Sequence, residues 1–433
     1  MLLYNKKRRY TPMNKFLSLV LALVMVFSMA NIAVADEPIT LDVWYALGGS
    51  SGEAFMKTIE DFNALNTGII INGSYSGGYN DTSTKITAAL SSNPKSTPDV
   101  LIGGQVTYTG AYGNFYAGDM AQADAEFNFD DVFTGLWDYG IYNDRYCQIP
   151  CGISTNTMFY NKAAVAKAGL DLEANPPKTW AEFMEICKTI QAAHADNADF
   201  IAFCVKDEDW LMNTQIMQCD NPVIQPNEDY SVKAAAWGTE ECAKVAQWWQ
   251  DMVREGVMKS TFNENGLNHF AAGNAAFFAG SSTKIIDWSA SMGDNLGAIE
   301  MPYFDVQSVA MGGNTICIFP YYGEERAQAA WTFVKYVTSS EANAKFAVNS
   351  GYLPCRASGA EAQIVKDAMA NMPVYAVAFK QLAYARAYVN IDDYAAKSTA
   401  LAYARQLVME DLSYDPLTAM QESAQMYNDE AGY

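Results

Sequence analysis

The alternation of strand-like and helix-like segments limits the possible folds of this chain more than any other feature of its sequence. Three apolar segments near its start have strand character: 40–46, 69–75 and 98–102. Between the first two, Phe55, Ile59 and Phe62 recur at helical spacing and predict an amphipathic helix over 51–65. Because parallel strands are usually joined by crossover helices, this alternation predicts an α/β fold built on a parallel sheet.

The rest of the chain continues the alternation and then becomes mostly helical. Thr179 and Glu182 form a capping-box pattern at the start of one predicted helix. No internal repeat, low-complexity tract or flexible linker divides the chain, so two domains would have to be joined by ordered crossings. Further strands are predicted at 275–279, 298–302 and 314–319, and further helices at 239–255, 324–337, 340–348, 361–369, 398–409 and from Pro416 onward.

Residues 1–35 have the pattern of a secretory signal peptide. Basic residues precede the apolar run at 16–30, and Ala33-Val34-Ala35 provides a cleavage site. A transmembrane anchor is the alternative, but the run is short for a bilayer span. We therefore expect an exported protein, periplasmic or extracellular, that is soluble after signal-peptide cleavage near Ala35.

The charge balance argues against two classes of partner. The chain of 433 residues carries 28 Lys and Arg against 49 Asp and Glu, a net charge of −21. Nucleic acid and anionic membrane surfaces repel such an acidic chain, so neither is expected as a partner. Half of the residues are apolar, which is enough for a large core.

Motifs for catalysis and metal binding are sparse. There are two histidines, both in predicted helical segments, and no H-E-x-x-H or C-x-x-C, so we expect no metal site and no cofactor. The eight cysteines all follow the signal peptide, where export permits disulfides whose pairing the sequence does not reveal. Asp207, Glu208 and Asp209 beside Trp210 leave two alternatives open, a glycosidase carboxylate pair and a solvated acidic loop.

Aromatic residues at predicted strand ends are the main indication of a ligand. The chain has 26 Tyr and 9 Trp. Ligands of α/β sheets bind beyond the carboxyl ends of the strands, where aromatic rings suit the C–H faces of sugars. A place in the core or at its rim is the alternative for any one of these residues. The aromatic residues in such positions are Trp44, Tyr45, Tyr75, Tyr79, Tyr108, Tyr112, Trp210 and Tyr352.

The stretch 75–86, YSGGYNDTSTKI, places two glycines between two tyrosines before a predicted helix. It has neither a Lys beside the glycines nor P-loop spacing, which argues against a phosphate-binding loop. We expect the glycines to turn the chain so that Tyr79 faces a ligand, while Asp81 or Thr82 caps the helix.

The order of several motifs resembles the family 1 extracellular solute-binding proteins. The segment 150–183, PCGISTNTMFYNKAAVAKAGLDLEANPPKTWAEF, is similar to the signature region of that family. The resemblance continues through FAAGNAAFFAGSS (270–282), GGNTICIF and SGYLPCR (350–356), and it covers essentially the whole mature chain. Within the family, the segment 75–79 is similar to a motif of the glycerol-3-phosphate-binding proteins of ABC importers.

The resemblance implies an α/β, two-lobed type II binding-protein fold with a ligand cleft between the lobes. The first lobe would hold 36–148 and 297–325, and the second 149–296 and 326–433. The implied function is that of a monomeric, non-enzymatic ABC importer component. It would capture a carbohydrate or a glycerol-3-phosphate-like solute by lobe closure and deliver it to the membrane permease.

The ligand contacts of the family carry over in part. Gln105 stands where the family has an acidic contact, and of a tryptophan pair one is met by Trp210 while the other falls near Asp207. The arginine near the C-terminal helices has no clear counterpart, with Arg386 and Lys397 as substitutes. Five positions match in type: Tyr79, Ser154, Ser281, Gly313 and Tyr352.

The departures from the family pattern bear on the ligand. A buried phosphate dianion requires a guanidinium or several donors, so the missing Arg and the Gln105 amide make a neutral sugar at least as well supported as a polyol phosphate. Trp44, Tyr45 and Tyr75 are further candidate contacts. An exported glycan-processing enzyme and a receptor-linked solute sensor on the same scaffold remain alternatives.

Overall fold

The computed structural model describes residues 37–104, 116–206, 208–259 and 266–433. The predicted signal peptide, Gln105, Tyr108, Tyr112 and Asp207 therefore lie outside the described residues. The strands are β1 (Ile39–Tyr45), β2 (Ile69–Tyr75), β3 (Val100–Gly103), β4 (Ile141–Tyr142), β5 (Arg145–Tyr146), β6 (Ile149–Asn161), β7 (Ile201–Val205), β8 (Ile224–Pro226), β9 (Lys233–Ala235), β10 (Ala275–Ser281), β11 (Leu296–Ile299), β12 (Val309–Ile318) and β13 (Ala385–Arg386).

Helices cover much of the remaining described chain. They are α1 (Gly49–Asn63), α2 (Tyr79–Ser92), α3 (Ala117–Ala123), α4 (Thr134–Trp137), α5 (Lys162–Lys167), α6 (Trp180–Ala193), α7 (Glu208–Gln218), α8 (Glu240–Arg254), α9 (Gly266–Ala271), α10 (Lys284–Met292), α11 (Glu324–Val337), α12 (Ser340–Ser350), α13 (Ala357–Ala360), α14 (Gln363–Asn371), α15 (Pro373–Lys380), α16 (Tyr394–Glu410) and α17 (Pro416–Ala431). Short 3₁₀ turns, such as Asp138–Gly140 and Gln381–Tyr384, connect several of these elements.

Within the described residues, nine strands form one mixed sheet in the order β2-β1-β3-β12-β6-β10-β7, with β11 paired to β6 and β13 to β12. β1 is parallel to β2 and β3, and β10 is parallel to β7. At the centre, however, β12 is antiparallel to both β3 and β6, and β6 is antiparallel to β10. The prediction of a parallel sheet is therefore wrong at the centre. Local periodicity does not reveal that two long strands run through the middle of the sheet in opposite directions.

Strand β6 joins the two halves of the sheet. Residues 149–155 pair with β12, residues 156–160 pair with β10, and all thirteen residues of the strand are buried. Ile153 belongs to one hydrophobic core and Met158 to another. The strand therefore leaves one core and enters the next along a short polar stretch.

Three oxygen atoms in the polar stretch of β6 accept hydrogen bonds from one amide group. The Nε2 group of Gln381 donates to the hydroxyls of Thr155 (3.1 Å) and Thr157 (3.3 Å) and to the carbonyl oxygen of Asn156 (3.0 Å). Buried polar groups are costly unless they are hydrogen-bonded, so this side chain allows a polar segment to cross between two apolar cores.

Strand β12 approaches β6 very closely at Gly313. The φ of Gly313 is +113°, and a Cβ atom there would lie 2.1 Å from the carbonyl oxygen of Gly152. A side chain at this position would therefore combine a disfavoured backbone conformation with a clash against backbone. The register between the two strands shifts directly afterwards, between Asn314 and Thr315, as at a β-bulge.

The first hydrophobic core lies around β1, β2 and β3. The ring of Phe62 on α1 packs 5.1 Å from that of Phe333 and 5.3 Å from that of Tyr336, and Phe55 packs 6.0 Å from Phe346. Helices α11 and α12 therefore belong to this core through their apolar faces, although the predicted lobe division placed 326–350 in the second lobe. Distant packing of this kind has no local sequence signal, and the division into lobes stays a prediction.

The second core lies around the distal part of β6 with β7 and β10. Three tryptophans on or beside its helices are fully buried, and the indole N–H of each donates to a side chain. Trp180 donates to Gln218 (2.7 Å), Trp237 to Ser423 (2.8 Å) and Trp249 to Gln215 (2.8 Å). Buried indoles need such partners, which accounts for amides and a hydroxyl within an otherwise apolar core.

Two predictions of helix starts have different outcomes. The capping box of Thr179 and Glu182 is confirmed, with both reciprocal hydrogen bonds present. The predicted cap at Asp81 or Thr82 is wrong, because α2 already begins at Tyr79, directly after Gly78. The Thr82 hydroxyl instead lies 2.7 Å from that of Ser76, and this bond ties the first turn of the helix to the preceding loop.

All eight cysteines are buried and carry free thiols. Burial raises the pKa of Cys151, Cys187 and Cys317 well above the ordinary thiol value, and that of Cys355 to about 12.

In the described part of the chain, none of the helices has the length and apolar character needed to cross a membrane.

We predict that Phe333→Ala lowers the free energy of unfolding by about 3–5 kcal/mol, because it opens a cavity beneath Phe62 in the first core. The neighbouring Thr332 is exposed, and Thr332→Ala should change the stability by less than about 0.5 kcal/mol. Urea unfolding of both variants measures the difference. A small loss for Phe333→Ala would contradict the packing of α11 on α1.

We predict that Gly313→Ala lowers the free energy of unfolding by about 3 kcal/mol or more, because backbone strain adds to the clash with Gly152. Gly323 is the matched control, since its φ is +92° but a Cβ there meets nothing within 4 Å. Gly323→Ala should cost about 1–3 kcal/mol, which is the cost of the backbone conformation alone. If both variants lost the same free energy of unfolding in denaturant, the clash between a Cβ at Gly313 and Gly152 would add nothing to the cost of backbone strain.

Candidate ligand-binding site

A cavity of about 800 Å³, called the cleft below, lies between the two cores. Its wall includes six of the residues that the sequence nominated: Tyr79, Ser154, Trp210, Ser281, Gly313 and Tyr352. Five of them come from five different strands or helices and Tyr352 comes from a loop, and the fold brings all six to one surface. Their role as ligand contacts stays a prediction.

Three further candidates do not line the cleft. Tyr45 points into the first core, with its ring 5.4 Å from that of Phe55, and Trp44 packs against a small separate cluster. Tyr75 is 55% exposed at the end of β2. The expectation of a ligand contact was based on their position near strand ends, and side-chain alternation along the strand directs Tyr45 away from the cleft.

Tyr79 and Tyr352 form one aromatic part of the wall. The Tyr79 hydroxyl donates to Oδ1 of Asn314 on β12, 3.2 Å away. The Tyr352 hydroxyl interacts with both of these groups, and burial raises the pKa of Tyr352 well above its usual value. The Tyr352 phenol therefore stays neutral, and both residues present a ring together with a hydroxyl group, as a polyhydroxylated ligand requires.

Trp210 and the glycines of β12 form another part of the wall. The indole N–H of Trp210 donates to the carbonyl oxygen of Met311 at 3.3 Å. A Cβ atom on Gly312 would lie 2.7 Å from the Trp210 ring and 3.2 Å from the Ser154 hydroxyl. Gly312 thus leaves the space that Trp210 occupies, and the ring and the Ser154 hydroxyl lie together at the wall.

Asp209 is a cleft residue that sequence reasoning considered only as a catalytic candidate. Its Oδ2 atom accepts hydrogen bonds from Ser398 (2.8 Å) and Tyr394 (3.3 Å). Tyr139, Tyr388, Tyr394 and Ser398 line the cleft and were not nominated. Asp209 could have been found from the sequence, because it is next to the nominated Trp210. The other four residues have no neighbouring motif that would have pointed to them.

Lys397 does not line the cleft, in contrast to its expected role as a substitute for an arginine contact. It is fully buried behind the wall, where its Nζ donates to the Tyr388 hydroxyl at 3.1 Å. Burial lowers the pKa of Lys397 to about 8, and the nearby Asp209 partly opposes this shift. Arg386 is exposed on β13 and is likewise absent from the cleft wall.

The charge of the described cleft wall is low and mixed. Among its described residues, Lys284 is the one cation, and Asp81 and Asp209 are the anions. Within the described chain, no group of three or more His, Cys, Asp or Glu side chains is placed to hold a metal ion. The wall therefore offers aromatic faces, hydroxyls and carboxylates, which suit the binding of a polar, uncharged molecule.

Comparison with known proteins supports a binding protein. The family described as "Bacterial extracellular solute-binding protein" matches residues 57–373. The sn-glycerol-3-phosphate-binding periplasmic protein UgpB of Rhizobium meliloti is 25% identical over 337 residues, which cover 74% of this chain and 76% of that protein. UgpB of Yersinia pestis bv. Antiqua is also 25% identical, over 78% of both chains.

Solved structures share the fold. The cyclic alpha-maltosyl-1,6-maltose binding protein from Arthrobacter globiformis has a TM-score of 0.75 at 22% identity, covering 91% of this chain and 99% of its own. UgpB from Mycobacterium tuberculosis, in complex with glycerophosphocholine, has a TM-score of 0.77 at 22% identity with the same coverage. The predicted two-lobed fold is thereby confirmed.

The family match also decides two functional predictions. It confirms that the protein works outside the cytoplasm and that it is a binding protein, not an enzyme. The match spans most of the chain and includes parts of both cores. The chain belongs to the family of bacterial extracellular solute-binding proteins.

Proposed function

We propose that this protein binds a neutral carbohydrate in the cleft and delivers it to the membrane permease of an ABC importer. One observation carries the choice of ligand. The described cleft wall combines the rings of Tyr79, Trp210 and Tyr352 with the carboxylate of Asp209, and it contains a single lysine. Aromatic faces cover the C–H surface of a sugar, and a carboxylate accepts hydrogen bonds from its hydroxyl groups.

The hydrogen-bonding groups of the wall fit hydroxyl ligands. Ser154, Ser281 and Ser398 supply small hydroxyls that donate and accept, and the peptide groups of Gly312 and Gly313 lie at the surface without side chains. These groups fix the orientation of a ligand without filling the cavity. Its volume of about 800 Å³ accommodates more than one sugar ring and therefore suits an oligosaccharide.

Closure of the two halves around β6 and β12 would enclose the ligand. Both strands contribute wall residues and both pass from one core to the other, so rotation about them changes the width of the cleft. We propose that the protein acts as a monomer and that the closed form is the one presented to the permease. Some structural neighbours carry sugars by their printed names, including a maltose-bound protein of T. maritima and the cyclic alpha-maltosyl-1,6-maltose binding protein.

A glycerol-phosphate ligand is the second candidate, and one feature favours it. Ser281, Thr283 and Lys284 lie together in the cleft wall at the start of α10. A helix N-terminus with a lysine and hydroxyl groups suits a phosphate. The UgpB relatives, named for sn-glycerol-3-phosphate, support this candidate. The exported-enzyme and receptor-sensor alternatives have no comparable observation in their favour.

We predict that a neutral mono- or oligosaccharide raises the thermal stability of the mature protein in a saturable manner. Binding to the folded state alone stabilises by RT ln(1 + [L]/Kd), or about 2.7 kcal/mol at a hundredfold excess over Kd. Differential scanning fluorimetry with saccharides, sn-glycerol 3-phosphate and glycerophosphodiesters measures this effect. Stabilisation by the phosphates alone would reject the carbohydrate and select the second candidate.

We predict that Trp210→Ala lowers the affinity for the saccharide by about tenfold or more, because the ligand loses an aromatic face that the first turn of α7 positions. Tyr75→Ala is the matched control, since Tyr75 is an exposed aromatic residue outside the cleft wall, and it should leave the affinity unchanged. Isothermal titration calorimetry measures both affinities.

Lys284→Ala distinguishes the two candidate ligands, because it should weaken the binding of a phosphate strongly and that of a neutral sugar little.

A further inference from the structure

A chain of polar contacts leads from the second core to the cleft, and we call it the tyrosine relay: Lys397, Tyr388, Tyr394 and Asp209. The Lys397 Nζ donates to the Tyr388 hydroxyl at 3.1 Å. The hydroxyls of Tyr388 and Tyr394 interact with each other, and Tyr394 donates to Oδ2 of Asp209 at 3.3 Å. A buried ammonium thus connects with a carboxylate in the cleft wall through two phenols.

The ammonium of Lys397 supports the aromatic wall from behind. It lies 4.1 Å from the ring centre of Tyr394 and 4.3 Å from that of Tyr388, within the range of cation–π attraction. Both rings line the cleft, whereas Lys397 has no exposed surface. A charge placed between two rings favours one arrangement of both, because either ring loses the attraction when it moves away.

Asp209 receives its described donors on one oxygen only. Tyr394 and Ser398 both donate to Oδ2, and no described group donates to Oδ1. A carboxylate has about four acceptor positions, so this side chain keeps acceptor capacity for hydroxyl groups in the cleft. The relay holds Oδ2 in place and leaves the other oxygen available to a ligand.

We propose that Lys397 is a positioning residue for ligand binding, which fixes Tyr388 and Tyr394 as one wall of the cleft and, through their hydroxyls, holds Asp209 as an acceptor for ligand hydroxyl groups. This inference rests on the proposed carbohydrate-binding function. It assigns to Lys397 a role through other side chains, in place of the direct contact expected from the sequence.

The proposal has a consequence for the pH dependence of binding. Four titratable groups surround Lys397. Tyr394 lies on the same helix, Tyr388 precedes that helix, and Asp209 lies on α7. The fourth is Tyr139, which interacts with both tyrosines. Burial lowers the pKa of Lys397 to about 8, whereas burial raises the pKa values of Tyr388 and Tyr394, which stay neutral. The affinity should therefore be constant below this pKa and fall above it, as the ammonium that orders the wall is lost.

The stability of the unliganded protein should depend on pH in the opposite sense. A lysine with a lowered pKa binds fewer protons in the folded state than in the unfolded state between about pH 8 and its ordinary value of 10.5. Its destabilising effect is therefore fully present below about pH 8 and is relieved as the pH rises. Binding and stability thus respond differently to the same proton, and a general loss of folding cannot imitate this behaviour.

The test compares wild type, Lys397→Met and the control Lys366→Met, a lysine half-exposed on α14. Affinity for the saccharide found in the fluorimetry screen is measured by calorimetry at about pH 7 and about pH 9.5. Wild type and the control should lose about threefold or more in affinity between the two values, since one coupled protonation is lost. Lys397→Met should bind about tenfold more weakly at the lower pH and show no further loss, while its melting temperature is equal or higher.

A second variant tests the proposal even if Lys397→Met fails to fold. Tyr388→Phe retains the ring and removes the hydroxyl that Lys397 contacts, and it should weaken binding about threefold and reduce the pH effect. Wild-type affinity in both variants, or a wild-type affinity that does not change with pH, would overturn the proposal.

A measurement without ligand separates this inference from the proposed function. In unliganded wild type with ¹³C-labelled tyrosine, the ring resonances of Tyr388 and Tyr394 should shift with a midpoint near pH 8, and the shift should be absent in Lys397→Met. If no saccharide binds wild type, the carbohydrate proposal fails, and the ring titration alone decides on Lys397. Rings that do not respond to the titration would overturn its positioning role whatever the ligand.

Discussion

The close backbone contact between β6 and β12 is the constraint on which the site depends. At Gly313 the two strands approach so closely that no side chain fits between them, and the Tyr139 hydroxyl donates to the Gly313 carbonyl oxygen at 3.2 Å. The same strands supply Ser154 and the glycines beside Trp210. The contact that joins the two cores thus also forms the floor of the cleft, so the fold and the binding surface have one origin.

Much of the secondary structure could be predicted because its signals are local. The bounds predicted for β2 (69–75) and α11 (324–337) agree with the structure, since turn residues and apolar periodicity mark both ends. The capping box at Thr179 was equally readable, because its two hydrogen bonds join residues three apart. Of the six cleft residues, Tyr79, Trp210 and Tyr352 stood out as aromatic residues at predicted strand ends, and all six matched positions in motifs that a family shares.

The errors concern features that depend on distant contacts. The antiparallel centre of the sheet requires β12 to return from the second half of the chain, and the packing of α11 on α1 joins residues about 270 positions apart in sequence. Lys397 was expected in the cleft as a substitute for the arginine contact of the family pattern. Its burial depends on how α16 packs in the folded protein, where the rings of Tyr394 and Tyr388 lie beside its ammonium group.

The eight buried thiols make each core able to report its own opening. Cys151 and Cys355 lie in the first core, whereas Cys187 and Cys242 lie in the second. A buried thiol with no access to solvent reacts with a labelling reagent only when the surrounding structure opens, so the labelling rate measures that local opening equilibrium. Peptide-resolved alkylation would therefore distinguish fluctuations of one half from those of the other in the native protein, with no probe added to either.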